Sequence, residues 1–236
     1  MKISIRLNHK KIMIILIIVN SVLVLFSLIG QYSTYYLNDG HLHGFVPQFN
    51  LDREMNIPTW VSAFMMLFIA FLLSTISSYT KNKKDQFSLH WKILAIAFVI
   101  LSLDEVAALH EMTVESLRIL FKAKGFFYFA WVILAIQIII ILALVFLRLI
   151  LCLQSKIRFL FMLSATLYIG GGVGMEMVCG RYTELHGSTN FTYALLANVE
   201  ESLEMAALVI FIHALFLVIE PLKTKENNAY SSPKSL

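Results

Sequence analysis

Cysteine is nearly missing from this chain. Cys152 and Cys179 are the only two, and they fall near opposite ends of the apolar segments that carry them, which excludes a disulfide framework and a cysteine-based metal knuckle. Charge is scarce as well, at 14% of 236 residues. With 58% hydrophobic residues and a mean hydropathy of +0.76, that scarcity excludes a soluble domain's balance and leaves an integral membrane protein. The glycine-rich stretch from Gly170 to Gly174 has no strand before it and no Lys-Ser/Thr after it, so it is not a phosphate-binding loop. No Ala-x-Ala-like site follows the first apolar run, so the basic prelude MKISIRLNHKK is read as leading into a retained first helix, not as a signal peptide.

What is present in abundance is apolar sequence in lengths of about 20 residues, enough to cross a bilayer as a helix. Six stretches qualify, at roughly 12–30, 58–79, 91–110, 127–151, 157–179 and 195–219. The expected architecture is an all-α polytopic membrane protein: a six-helix transmembrane domain over 1–222 and a disorder-prone cytoplasmic tail over 223–236. With the N-terminus inside, 14 of the 19 Lys and Arg fall on the cytoplasmic side: four in the prelude, Lys81, Lys83, Lys84, Lys92, Arg148, Lys156, Arg158, Lys223, Lys225 and Lys234. The positive-inside rule then places both termini in the cytoplasm, as in a bacterial inner membrane. The net charge of +4 reflects this topology and contact with anionic lipid, not nucleic-acid binding. Pro58 suits a first helical turn, and Trp60 an interfacial belt. Gly170 and Gly174 stand at the small-xxx-small spacing that lets helices approach closely.

Seven carboxylates sit inside or at one end of these apolar segments: Asp104, Glu105, Glu111, Glu176, Glu200, Glu201 and Glu204. Ionisable groups in membrane spans are costly, and their default reading is functional. Only His110 and Arg181 lie nearby in sequence as counter-charges, which leaves protons or a bound cation to neutralise the rest. At about 1.5 Å per residue, Asp104 and Glu204 each stand roughly 21–22 Å above the cytoplasmic helix ends, with Glu176 and Glu200 a few ångströms further out. A continuous helix puts Asp104 and Glu111, seven apart, on one face, with Glu105 and His110 turned away from it. Asp104 and Glu204 are thereby expected to pair across a cavity, with an outer ring of Glu111, Glu176, Glu200 and Glu201. The third helix is expected to continue through MTVESLRILFKAK along the outer interface.

Oxygen-rich sites with one imidazole suit divalent ions such as Fe, Mn or Zn. Asp104, Glu111, Glu176, Glu200 and Glu204 are the expected metal ligands, with Glu201 or Glu105 as general base and His110 as proton donor. The arrangement looks in part like carboxylate-bridged di-iron bundles, but His110 follows Glu105 by five residues where that pattern has three. The expected activity is metal-dependent chemistry, hydrolytic or oxidative, on a lipid, a lipid-linked substrate or a small molecule reached from the extracytoplasmic face. Two alternatives use the same acids: a small proton- or cation-coupled transporter or channel, and a non-catalytic membrane assembly partner. His41 and His43 in the first outer loop, and His186 between the fifth and sixth spans, are secondary metal candidates.

Overall fold

The structure is a computed structural model that describes residues 8–231, with side chains described as far as residue 221. The described residues are helical apart from their turns and loops. The long helices are α1 (His9–Tyr36), α3 (Ile57–Asn82), α4 (Ser88–Ala107), α6 (Trp131–Cys152), α7 (Ser155–Ile169) and α9 (Phe191–Ser231). Three shorter ones join them: α2 (Phe45–Phe49), α5 (Leu109–Phe121) and α8 (Glu176–His186). Among the described residues five helical stretches are long and apolar enough to cross a membrane, or six if α4 and α5 count as one bent span. The expectation of a disordered tail over 223–236 runs into residues outside the described part; the backbone of α9 is helical to Ser231.

Apolar runs become helices here because a helix satisfies its own backbone polar groups where no water can. The ends are set by local chemistry. Asn8 caps α1, its side chain accepting from the Lys11 N–H at 3.3 Å. Asn56 caps α3 by accepting from the Thr59 N–H at 3.1 Å, and Pro58 stands in the first turn as its missing N–H allows. The same Asn56 donates to the Asn50 carbonyl at 2.6 Å, which folds residues 50–56 back over the bundle.

α3 and α9 form the centre, each with 56% of its most apolar stretch buried, whereas α1 buries 17% and α6 only 11%. Met65, Met66, Ile69 and Leu73 of α3 meet Met205, Leu208, Ile212 and Leu215 of α9 in the core. Side-chain hydroxyls and amides tie neighbouring helices together. Ser102 on α4 donates to the Ala63 carbonyl on α3 at 2.9 Å, Ser164 on α7 to Ala207 on α9 at 2.9 Å, and Asn20 on α1 to Met205 at 3.1 Å. Such bonds are one source of cohesion where lipid removes the hydrophobic drive between helices.

Two departures from regular helix shape the site. The third apolar segment breaks at Ala108, whose φ of 49° and ψ of 42° are left-handed, and α5 leaves α4 at 80°. The expected extension therefore exists, but it begins at Leu109 instead of after Glu111. The fifth segment is interrupted between α7 and α8 by a π-helical turn, Gly170–Met175, a feature that recurs at functional sites.

Candidate functional site

The bend at Ala108 decides where the acids of the third segment go. Because His110 and Glu111 start a new helix, the heptad relation between Asp104 and Glu111 does not hold. His110 instead turns back on Asp104. Its backbone N–H donates to Asp104 Oδ1 at 2.9 Å and its Nδ1 donates to Oδ2 at 2.9 Å. Asp104 thus satisfies an otherwise orphan donor at the start of α5 and fixes the imidazole's proton on Nδ1. Nε2 is the ring nitrogen that Asp104 does not engage. Asp104 is therefore held by His110, and no bond joins it to Glu204 among the described contacts. Glu105 was expected to face away, yet it lines the same cavity and lies within electrostatic reach of Glu201 and Glu204.

The fifth segment approaches α9 through glycine, at different positions from the expected Gly170 and Gly174. A Cβ on Gly171 would stand 2.9 Å from the Glu200 carbonyl oxygen, and one on Gly172 would stand 2.5 Å from Glu204 Oε1. A Cβ on Gly170 would meet nothing within 4 Å. The π turn thus lays bare backbone against the carboxylate of Glu204, which also hydrogen-bonds Tyr168. One turn further out, Trp131 Nε1 donates to Glu176 Oε1 at 2.8 Å, and Cys179 donates to Glu200 Oε2 at 3.3 Å. Glu176 and Glu200 stand within side-chain reach of each other.

Asp52 and Glu54, in the loop before α3, join this group without having been anticipated. The loop held down by Asn56 brings Asp52 beside Tyr193 and Glu54 beside Thr59. One oxygen each of Glu54 and Glu111 and a ring nitrogen of His110 lie within 4.8 Å of one another. Glu54 Oε2 is a buried atom without a hydrogen-bond partner. Their sequence signal is two acids spaced i, i+2 just before the Asn56 cap in the longest outer loop, a spacing that solvated loop acids share.

In all, nine carboxylates face one cavity: Asp52, Glu54, Asp104, Glu105, Glu111, Glu176, Glu200, Glu201 and Glu204, with His110 among them. Every acid expected at the site is there. Arg181 is not; it bonds Glu184 at 2.8 Å within its own helix. His41 and His43 flank a turn closed by Asp39, which accepts from the backbone of His41 at 3.0 Å and of Leu42 at 2.7 Å. His186 stacks on Tyr182 at 4.7 Å. None of these three histidines lines the cavity.

Burial, and then the charge of Glu111, pushes both Asp52 and Glu54 up to about 7. An acid whose folded value lies above its unfolded one binds more protons when folded. Its stabilising contribution is present below the ordinary values of 3.8 and 4.5 and is lost as pH rises through about 7. Without added metal the purified protein is expected to melt at a higher temperature at pH 5 than at pH 8. Differential scanning fluorimetry in detergent checks this; the slope should flatten in Asp52→Asn plus Glu54→Gln.

An all-helical bundle with long apolar helices and an acid-lined internal cavity is the class of protein these features define. Its sequence places it further: residues 12–219 match a family described as a domain of unknown function, DUF8692, and the chain belongs to that family. No curated protein and no solved structure matches the chain.

Proposed function

We propose that this is a six-span inner-membrane protein with both termini cytoplasmic, whose carboxylate cavity opens outward, holds a divalent metal ion and acts on a lipid or lipid-linked substrate. The observation that carries the reading is the Glu54, His110 and Glu111 triad, drawn from two separate elements and held with one nitrogen and two oxygens in mutual reach. Two carboxylates and an imidazole suit Fe(II), Mn or Zn and leave coordination positions for water or substrate. Asp104 acts one step behind, orienting the imidazole, as carboxylates commonly do for metal-bound histidine. This moves Asp104 from ligand to positioning residue and adds Glu54 to the expected set.

Such an ion, when bound, supplies Lewis acidity and a water of lowered pKa. The chain's own residues supply the rest. Glu176 and Glu200 offer further oxygens along the cavity, and Glu105 and Glu201 line it beside Glu204, where a carboxylate takes up or returns a proton. Below Glu204 the walls are mostly apolar, with Ser164, Thr166 and Arg158 the polar residues along them. A cation crossing the membrane would need polar partners there, which favours chemistry at the site over transport through it.

Metal analysis by inductively coupled plasma mass spectrometry on detergent-purified protein tests the reading. Wild type is expected to carry about one transition-metal ion per chain, and Glu54→Gln, Glu111→Gln and His110→Ala each to lose most of it. A wild type that stays metal-free after incubation with Fe(II), Mn and Zn would sink the proposal.

A further inference from the structure

The carboxylates occupy only one end of a longer cavity of about 1510 Å³. Below Glu204 its walls are apolar side chains of α4, α6, α7 and α9, among them Phe98, Ile138, Leu142, Met162 and Phe211. Ser164 also lies along it, but its hydroxyl is spent on the Ala207 carbonyl. Several wall residues are exposed at the same time, including Ile138 at 56% and Met162 at 49%. α6 itself buries only 11% of its most apolar stretch. The slot runs along this sparsely buried helix, whose surroundings in a bilayer would be acyl chains. It is continuous with the acidic end, so one ligand can fill both.

Charge says what kind of ligand. Apart from His110 no basic side chain lines the acidic end. The one arginine along the cavity, Arg158, is beside the far end of the slot, where it donates to the Leu151 carbonyl at 3.2 Å. An anionic head with no compensating amine would meet the carboxylates that an ion on Glu54, His110 and Glu111 leaves uncompensated, and like charges brought together repel. A protonated amine would be drawn in.

We propose that the cavity takes a bilayer lipid with an amine-bearing head, the amine among the carboxylates and one acyl chain in the slot between α6 and the α4–α7–α9 wall. This deepens the lipid reading given above and rests on it.

Delipidated protein reconstituted in nanodiscs of equal phosphatidylethanolamine and phosphatidylglycerol, then released for native mass spectrometry, tests it. Phosphatidylethanolamine should be retained over phosphatidylglycerol by about tenfold or more. Ala143→Trp and Ala165→Trp, which put an indole into the slot wall, should lose most of that lipid while their metal content stays that of wild type. Equal retention of the two lipids, or undiminished phosphatidylethanolamine in both tryptophan variants, overturns the proposal. The comparison of lipids on wild type needs no variant to fold. Metal measured on the same samples separates the two readings: a metal-free protein that still selects the amine lipid supports the slot and removes the metal. A metal-loaded protein that selects neither lipid does the reverse.

Discussion

Gly171→Ala should destabilise this protein more than any other single methyl group added to its glycines. The new Cβ would sit 2.9 Å from the Glu200 carbonyl oxygen and 3.2 Å from the Leu203 Cβ, both carried on the central helix α9. Neither can move without shifting that helix against the π turn. Overpacking of this kind costs about 1–3 kcal/mol and more where backbone must move. For a chain of this size a loss of about 3 kcal/mol lowers the melting temperature by roughly 6–12 °C. Gly170→Ala, with open space around its Cβ, should instead be neutral or slightly stabilising, since alanine is the better helix former. Gly172→Ala falls between them: its Cβ meets the movable end of Glu204, so the protein should fold while that carboxylate is displaced. Thermal melts of the three variants in one detergent decide it. Equal melting temperatures for Gly170→Ala and Gly171→Ala would mean that the π turn does not rest on α9.

The second large effect is expected from Asp104→Asn. Asparagine keeps the shape and one accepting oxygen, so the cap on the His110 N–H survives. Its amide nitrogen cannot accept from Nδ1, however, and the imidazole is released to turn or to take the other tautomer. Loss of such an orienting partner typically weakens metal binding by about 10–100-fold. Isothermal titration with Zn or Mn on metal-stripped protein reads this directly, and circular dichroism should show unchanged helix. Asp104→Ala should weaken metal binding similarly and cost about 1 kcal/mol more through the lost cap. Wild-type affinity in Asp104→Asn would show that the Asp104 to His110 bond holds α5 in place without serving the ion.

The helices were legible because their cause is local. A run such as WVILAIQIIIILALVFLRLILC has one way to satisfy its backbone in an apolar surrounding, and Asn56 with Pro58 marks a start by stereochemistry alone. The acids were legible for the same reason, since a carboxylate in an apolar run stands out against its neighbours. The break at Ala108 was not. Neither glycine nor proline marks it, and alanine is a strong helix former, so local propensity argues against the conformation observed. The bend is supported instead by Asp104, which rewards it with two hydrogen bonds from a residue six positions on. The π turn escaped for a related reason: four glycines permit close approach, but which of them makes it depends on the rotation of α7 against α9.

The sequence by itself determined that this is a helical protein with apolar segments of membrane-crossing length and with buried acids gathered toward one end of them. Hydropathy and charge are sums over short stretches of chain, and they survive whatever the helices do next. Only the tertiary structure decided which carboxylates meet. It bonded Asp104 to His110, set Glu105 within electrostatic reach of Glu204, and brought Asp52 and Glu54 to the cavity from a loop. Those contacts turn on one left-handed residue, one wide helical turn and one loop folded back through Asn56, each a product of long-range packing that no local pattern encodes.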